Sequence, residues 1–248
     1  MGARAPAVGA PMSLAWALPS GAAARIVFSG AADGDFAVGQ PAGALAARRE
    51  ALVPLPWTWL DQVHGDRVVV VDEPGAQAGA HADAAVTART GAALAIQTAD
   101  CAPVALVADE GVVAAVHVGW RGLVGGVVER AVEAVHRAGG GGLRAVVGPC
   151  IHACCYEFGA GDLDRVAARY GDGVRATTRS GRPALDLPAA VTAALSAESA
   201  ITSAPAPTGS SCTACGTPPM FSHRARGDTA RQAMVVWLED PTGGPATR

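Results

Sequence analysis

The stretch Val116-His117-Val118-Gly119-Trp120-Arg121-Gly122 marks a point where a strand gives way to a helix. The β-branched run over residues 111–118 predicts a buried strand, and the apolar positions that follow Arg121 recur at helical spacing. An imidazole, an indole and a guanidinium therefore lie together at one corner of the fold. Such a corner suits a functional site, because the strand fixes side chains while the helix N-terminus offers free backbone N–H groups to an anion.

Apolar runs predict most of the other strands and helices. Strands are predicted at residues 24–29, 57–63, 68–71, 92–98, 104–108, 143–147 and 233–238, and helices at residues 42–53, 162–170 and 188–197. The two strands on either side of the His64-Gly65-Asp66 turn are expected to form a hairpin. Many strands with fewer helices favour an α+β fold with mixed β-sheets in a single domain.

The ends of the chain differ in composition from the part between them. Residues 1–23 are rich in Ala, Pro and Gly, which predicts a poorly ordered extension; the domain is assigned to residues 24–240, with a tail at 241–248. A Ser/Pro/Ala-rich stretch at 200–211 predicts a flexible linker. No apolar run is long enough to cross a membrane and no convincing export signal precedes the domain, so we expect a cytoplasmic protein without a membrane partner.

Charge and composition exclude several classes of function. The chain has 248 residues, of which half are hydrophobic, and a formal net charge of -3. This balance argues against a nucleic-acid partner, which would select a basic face. All nineteen basic residues are arginine. The absence of lysine excludes a Schiff-base lysine, a pyridoxal phosphate enzyme and a P-loop lysine.

Three candidate metal ligands each lie at the end of a predicted strand: His64, Cys101 and His117. Two imidazoles and a thiolate are ligand types that zinc prefers, and three protein ligands leave a fourth position for water or substrate. The residues alone also allow two satisfied histidines and a buried core cysteine. A further alternative is a cysteine hydrolase of peptide or amide bonds, with Cys101 as nucleophile and a histidine as base. A non-enzymatic partner-binding domain is the third possibility.

Other polar residues near these positions are candidates for catalysis or substrate binding. Asp83 and Asp100 are candidates for a carboxylate that transfers protons or that orients a histidine. Arg121, at a helix start, is a candidate fork for phosphate or carboxylate. Gln62 is a candidate for substrate binding, and Thr98 and Ser222 are candidates to position a ligand hydroxyl.

The remaining cysteines receive no role from the sequence; they are Cys150, Cys154, Cys155, Cys212 and Cys215. Chain length and the missing export signal favour reduced thiols or metal ligands over a disulfide framework. The pattern Cys212-Thr213-Ala214-Cys215 suggests a structural zinc site. Against that interpretation, no second Cys-x-x-Cys is present, and the adjacent Cys154-Cys155 pair is expected to fit one tetrahedral ion poorly.

Six short motifs occur in the order that is seen in one family. They are Asp61-Gln62-Val63-His64-Gly65, Ala82-Asp83-Ala84, Thr98-Ala99-Asp100-Cys101-Ala102-Pro103, His117-Val118-Gly119-Trp120-Arg121-Gly122, Gly148-Pro149-Cys150-Ile151 with Cys154-Cys155-Tyr156-Glu157, and Phe221-Ser222-His223-Arg224 with Arg231-Gln232-Ala233. Over residues 26–238 the chain resembles the laccase-domain proteins. These proteins are also called multicopper polyphenol oxidoreductases and are now generally described as purine nucleoside phosphorylases.

The resemblance implies a single-domain α-β-β-α layered fold with a catalytic zinc ion on His64, Cys101 and His117. It also implies phosphorolysis of adenosine, inosine and S-methyl-5'-thioadenosine to a base and ribose 1-phosphate, together with deamination of adenosine. The implied partners are purine nucleosides and phosphate, and the chain is expected to be a monomer or homodimer. Arg121 then becomes the expected phosphate or substrate contact.

The older family name can be tested against the histidine content. A multicopper oxidase needs many histidines, commonly in His-x-His pairs, to build its copper cluster and its separate electron-accepting copper. This chain has six histidines and no His-x-His sequence. A copper-dependent polyphenol oxidase is therefore the less favoured alternative, although copper is expected to be able to occupy the three-ligand site in vitro.

Overall fold

The computed structural model describes residues 11–198, 201–204, 212–217 and 219–240. The described strands are β1 (Met12–Ala17), β2 (Ala23–Phe28), β3 (Trp57–Asp61), β4 (Val68–Val70), β5 (Ala80–His81), β6 (Ala84–Thr87), β7 (Ala93–Thr98), β8 (Ala102–Ala108), β9 (Val112–Val118), β10 (Leu143–Val147), β11 (Arg175–Thr177), β12 (Pro183–Leu185), β13 (Ile201–Ala204) and β14 (Gln232–Glu239). The helices are α1 (Ala42–Leu52), α2 (Trp120–Gly125), α3 (Val127–Arg137), α4 (Ala160–Tyr170), α5 (Leu187–Ala197) and α6 (His223–Arg226).

Most of these strands form two six-stranded mixed sheets. The first sheet has the strand order β1-β2-β14-β7-β3-β5, and the second has the order β13-β10-β8-β9-β6-β4. In the first sheet β3 runs parallel to both β5 and β7, whereas β14 runs antiparallel to β2 and β7. A separate two-stranded sheet pairs β11 with β12. The expected α+β class with mixed sheets is therefore confirmed.

Period-two alternation along the strands explains how the two sheets pack face to face. In β8 the side chains of Ala105 and Val107 join a core with residues of the first sheet, such as Ile96 and Val236. Their neighbours Val104 and Leu106 point to the opposite face and join a different core. Strands that are apolar at every position are expected where both faces of a sheet are covered.

Helices cover the two outer faces of this sandwich. Helices α2, α3 and α5 pack on the second sheet, where residues such as Val128, Val132 and Val191 complete its outer core, and α4 packs against α2 and α5. Helix α1 lies on the first sheet through Leu45, which packs with Trp57 and the residues around it. The layers are thus α-β-β-α, as the sequence motifs imply. No described helix has the length and apolarity required to cross a bilayer.

Three connections cross from the first sheet to the second, and they position the candidate site. Strand β3 leads into β4, β5 into β6, and β7 into β8, and each pair is divided between the two sheets. His64, Asp83 and Cys101 lie on these three connections. Strand β9 of the second sheet contributes His117 near its end, and the N–H of His117 donates to the carbonyl of Asp83 at 2.7 Å.

The first of these crossings corrects the predicted hairpin around the His64-Gly65-Asp66 turn. Strand β3 pairs with β5 and β7, whereas β4 pairs with β6 in the other sheet. The connection between β3 and β4 is short. A short connection does not force two strands to pair when each of them pairs with other strands. The predicted helix after Arg121 is also divided, because Gly126 adopts a left-handed φ of 96° between α2 and α3.

The N-terminal extension at residues 1–23 is more ordered than its composition predicts. Strand β1 pairs antiparallel with β2 along its whole length, from Met12 opposite Phe28 to Ala17 opposite Ala23. Strand β13 likewise lies within the predicted linker at 200–211 and pairs parallel with β10. Residues 1–10, 205–211 and 241–248 lie outside the described residues, so the expected tail and the rest of the linker fall there.

Candidate metal centre and substrate cavity

The crossing connections bring the three candidate ligands to one point. One ligand atom from each of His64, Cys101 and His117 lies within 4.8 Å of the others. Cys101 Sγ is 3.7 Å from His64 Nε2, and the two imidazole rings meet edge to face with centroids 4.8 Å apart. His117 is buried, Cys101 is half-buried and His64 is exposed. The group therefore has a protein side and an open side.

Asp83 organises this group from the protein side. Its carboxylate is completely buried, and Oδ1 accepts a hydrogen bond from His117 Nδ1 at 2.8 Å. The same carboxylate accepts backbone N–H groups of His64 at 2.9 Å and of Gly65 at 2.7 Å. These bonds hold His64 at a φ of 60°, a region that costs a non-glycine residue energy. A proton on His117 Nδ1 leaves Nε2 as the free ring nitrogen.

Close packing explains two glycines of the strand-to-helix stretch. A Cβ at Gly119 would lie 2.6 Å from His64 Cδ2 and 3.2 Å from Cys101 Sγ. A Cβ at Gly122 would lie 2.8 Å from the carbonyl oxygen of Gly65. Any side chain at these positions would displace the connection that carries His64. The glycines are therefore part of the geometry of the centre.

Cys101, His117 and Asp83 influence one another's charge. Burial alone would raise the pKa of the Cys101 thiol, but the charge of His117 and hydrogen bonds from both histidines lower it to about 6. Burial would lower the pKa of His117, but the Cys101 thiolate and Asp83 raise it to about 9. Burial likewise opposes ionisation of Asp83, but hydrogen bonds from His117 and the backbone lower its pKa. Metal-free protein therefore holds a thiolate beside an imidazolium.

The donor set fits a metal ion of the zinc type. Two imidazole nitrogens and a thiolate match the ligands of catalytic zinc sites, which keep a fourth position open. The contact from Asp83 to His117 is the kind of support that histidine ligands commonly receive. Among the described residues, this is the only potential metal-binding group that contains histidine. It offers two imidazoles, which is too few for a multicopper cluster.

A cavity of about 520 Å³ opens above the three ligand candidates, and all three line it. That volume lies within the range of pockets that hold small organic ligands, about 300–1,000 Å³. Arg121, Arg224 and Arg231 also line the cavity, and none of them forms an ion pair within the described part of the chain. Their guanidinium groups give the cavity a positive potential that suits an anion.

The other predicted site residues divide into those that line the cavity and those that support it. Asp100 lines the cavity; its carboxylate accepts Thr213 Oγ1 at 2.7 Å and the Arg224 N–H at 2.7 Å. Gln62 also lines it, but its amide forms two hydrogen bonds, both at 2.8 Å, with the backbone of Gln97. Asp83 does not line the cavity, and its contacts are those of a positioning residue.

Ser222 differs from its predicted role in substrate binding. It is completely buried, its Oγ accepts the Ala225 N–H at the start of α6, and it is not among the residues that line the cavity. Such an N-cap contact satisfies a backbone donor at the start of a helix. In this structure Ser222 therefore positions the segment that carries Arg224.

Several residues with functional geometry were not singled out from the sequence. Tyr156 and Arg224 both line the cavity, with the Arg224 guanidinium 4.8 Å from the centre of the tyrosine ring. Gln97 also lines the cavity, beside Thr98, which the sequence did single out; Gln97 Nε2 and Thr98 Oγ1 are buried and have no hydrogen-bond partner among the described residues. Tyr156, Arg224 and Arg231 stand inside the quoted motifs, so the motifs themselves carried the signal.

Comparison with known proteins assigns this architecture to a family. Residues 31–239 match the family described as multi-copper polyphenol oxidoreductase laccase. The chain belongs to this laccase-like family. The matched segment contains all three candidate ligands and every residue that lines the cavity.

Relatives of this laccase-like chain carry the name purine nucleoside phosphorylase. One, from Mycobacterium tuberculosis, is 40% identical over 215 residues, which cover 83% of this chain and 84% of the relative. Another, from Streptomyces coelicolor, is 41% identical over 214 residues, which cover 82% and 86%. A third, from Pseudomonas aeruginosa, is 35% identical over 187 residues, or 74% of each chain.

Two solved structures share the fold at lower identity. A protein of Neisseria meningitidis superimposes with a TM-score of 0.75 and 27% identity, and the match covers 93% of this chain and 99% of that one. YlmD of Geobacillus stearothermophilus superimposes with a TM-score of 0.73 and 26% identity, and the match covers 89% and 93%. The match therefore extends over nearly the whole of each solved chain.

Proposed function

We propose that this protein is a zinc-dependent purine nucleoside phosphorylase that acts on adenosine, inosine and S-methyl-5'-thioadenosine and also deaminates adenosine. The observation that carries the proposal is the shared cavity, in which the three ligand candidates lie together with three arginines that form no ion pair within the described residues. Phosphorolysis needs an anion-binding group beside a polar pocket for the nucleoside. The names of relatives at about 40% identity support this choice of substrate class.

His64, Cys101 and His117 would hold the zinc ion, with Asp83 fixing the tautomer of His117. A bound zinc ion would supply Lewis acidity at the base of the cavity. Because His64 is exposed while His117 is buried, the accessible side of the centre faces the cavity. Copper is a possible occupant in vitro, because imidazole and thiolate also bind copper.

The arginines would bind and orient phosphate for attack on the sugar. Phosphorolysis passes through a cation-like sugar, so its nucleophile must be held as an anion close to the anomeric carbon. Arg121 has no hydrogen bond or ion pair within the described residues and rests its guanidinium 4.7 Å from the centre of the Trp120 ring. It is therefore free to form a fork with phosphate, and Arg224 and Arg231 add positive charge on the same cavity.

The purine base must be recognised and must receive a proton as it leaves. Gln97 and Thr98 line the cavity with polar side chains, and we assign them to the part of the cavity that would take the base. Tyr156 is the candidate hydrogen-bond donor to the leaving base, because burial raises its pKa and keeps its hydroxyl protonated. In deamination, Asp100 is the cavity carboxylate that we assign to proton transfer.

A cysteine hydrolase is the second candidate, and one specific observation favours it. The Cys101 thiol has a pKa lowered to about 6 and its sulfur lies 3.7 Å from His64 Nε2, which is the arrangement of an activated nucleophile. Metal bound to the thiolate would block this chemistry. The two functions therefore exclude each other at this centre.

One experiment separates them: zinc content by mass spectrometry, paired with chromatography of the products from adenosine with and without phosphate. For the native chain we expect bound zinc and adenine release that depends on phosphate. The variant Cys101→Ser should lose one equivalent of zinc and should also lose adenine release. The control is Cys150→Ala, which changes a buried cysteine that is not one of the three ligand candidates; it should keep its zinc and its adenine release. Turnover of an amide substrate by metal-free protein, abolished by alkylation of Cys101, would overturn the proposal in favour of the hydrolase.

A further inference from the structure

Four of the five cysteines that the sequence left without a role meet at one place. Sulfur atoms of Cys154, Cys155, Cys212 and Cys215 all lie within 4.8 Å of one another. We propose that these four cysteines bind a second metal ion, a structural zinc ion separate from the catalytic centre. This proposal does not depend on the proposed activity, because none of the four residues lines the cavity.

The distances within the cluster match a tetrahedral four-sulfur site. A zinc ion with Zn–S bonds of about 2.3 Å requires neighbouring sulfurs about 3.8 Å apart. Cys154 Sγ lies 3.7 Å from Cys155 Sγ and 3.7 Å from Cys215 Sγ. All four are free thiols, at separations well beyond the S–S bond of about 2.05 Å in a disulfide. The two measured separations therefore have the dimensions that a four-sulfur zinc site requires.

The adjacency of Cys154 and Cys155 does not prevent them from sharing an ion. Both residues lie in a single 3-10 turn, Ala153–Cys155, and their Sγ atoms are 3.7 Å apart in it. The sequence-based objection was that an adjacent pair fits one tetrahedral ion poorly. In this turn they converge, which makes a second Cys-x-x-Cys unnecessary.

The Cys212-Thr213-Ala214-Cys215 segment is folded in a way that suits thiolate ligands. Cys212 Sγ accepts the backbone N–H of His152 at 3.4 Å. The backbone closes on itself, with the Gly216 N–H donating to the Cys212 carbonyl at 2.7 Å. Backbone donors around a sulfur support its negative charge, which is how polar neighbours stabilise metal ligands.

A metal ion here would connect two segments that build the wall of the cavity. Tyr156, which lines the cavity, directly follows Cys155. Thr213 lies between the other two ligands and donates its hydroxyl to Asp100 at 2.7 Å, and Asp100 precedes Cys101. The four thiols would release up to four protons as the ion binds. The expected role is therefore to stabilise the fold around the catalytic centre, and the ion itself takes no part in the reaction.

The first test uses the double variant Cys101→Ala/His117→Ala, which removes the catalytic ligands and leaves the cysteine cluster intact. We expect this variant to retain one zinc ion per chain, and X-ray absorption at the zinc edge should show four sulfur neighbours at about 2.3 Å. In the native background, Cys215→Ser should lower the zinc content from two ions to one, while Cys150→Ala should keep two. Absence of zinc from the double variant, or a shell of nitrogen and oxygen neighbours, would overturn the proposal.

A second measurement needs no variant and so does not depend on how a variant folds. Cys215 is exposed, so as a free thiol it would be alkylated rapidly. In native protein purified without chelator, we expect Cys215 to be protected from iodoacetamide and to become reactive after chelation. Rapid alkylation before chelation would contradict metal binding. An intact mass two daltons low, showing a disulfide among the four thiols, would also contradict it.

Discussion

Replacement of Asp83 by asparagine tests how the centre is held together. Asp83 Oδ1 accepts His117 Nδ1 at 2.8 Å and the His64 N–H at 2.9 Å, while Oδ2 accepts the Gly65 N–H at 2.7 Å and that of Val63 at 3.3 Å. Asparagine keeps one of the two oxygens. If its oxygen stays toward His117, its NH₂ group faces the two donors that Oδ2 served.

The magnitude follows from these contacts. The half-buried N–H of Gly65 loses its acceptor at 2.7 Å, which costs about 1–3 kcal/mol, whereas the N–H of the exposed Val63 can bond to water; we therefore expect Asp83→Asn to lower the free energy of unfolding by about 1–3 kcal/mol. Loss of a partner that orients a metal-bound histidine typically lowers metal affinity about 10–100-fold. Because φ at His64 is held by the same bonds, both effects should appear together.

The assays are thermal unfolding of metal-free protein and competition for zinc with a chromophoric chelator. The matched control is Asp66→Asn, an exposed aspartate on the same connection that lies 3.8 Å from Arg130 and should change neither quantity. If Asp83→Asn bound zinc within twofold of the native affinity and unfolded at the native temperature, the assignment of Asp83 as the positioning residue would be refuted.

Three further predictions concern the same centre. Gly119→Ala places a Cβ 2.6 Å from His64 Cδ2. Because a shift of about 1 Å in a reacting group can lower the reaction rate about 100-fold, we expect kcat/KM for adenosine to fall by about that factor. Arg121→Ala should raise the KM for phosphate about tenfold or more with a smaller effect on the KM for adenosine, whereas Arg130→Ala on the exposed face of α3 should change neither. In metal-free protein, the rate of alkylation of Cys101 should rise as pH passes about 6 and then level off, because the thiolate forms above its pKa.

Each of these has an outcome that would contradict it. Native activity in Gly119→Ala would mean that the connection carrying His64 can move to accommodate the new Cβ without disturbing the three ligand candidates. An unchanged KM for phosphate in Arg121→Ala would remove Arg121 from the anion site. Alkylation of Cys101 with a midpoint near about 8.5, the value of an ordinary thiol, would show that the histidines do not stabilise its thiolate.

The sequence alone determined the local elements and the identity of the candidate ligands. Continuous apolar runs predicted β7, β8 and β9 within two residues, because strands covered on both faces have no polar side. The strand-to-helix corner at His117 was also predicted correctly, since a glycine pair after a β-branched run ends the strand. Ordered motifs pointed to the family because they carry chemistry that chance rarely assembles.

Only the tertiary structure decided which of these elements meet. The predicted hairpin was wrong because β3 and β4 gain more by pairing within different sheets than with each other. The crossings that result carry His64, Asp83 and Cys101 to a common end of the sandwich, although long stretches of chain separate them. The four-cysteine cluster also depends on tertiary contacts, because Cys154 and Cys215 are 61 positions apart. Periodicity reports which face of an element is buried, but the partners of that face are set by packing over the whole chain.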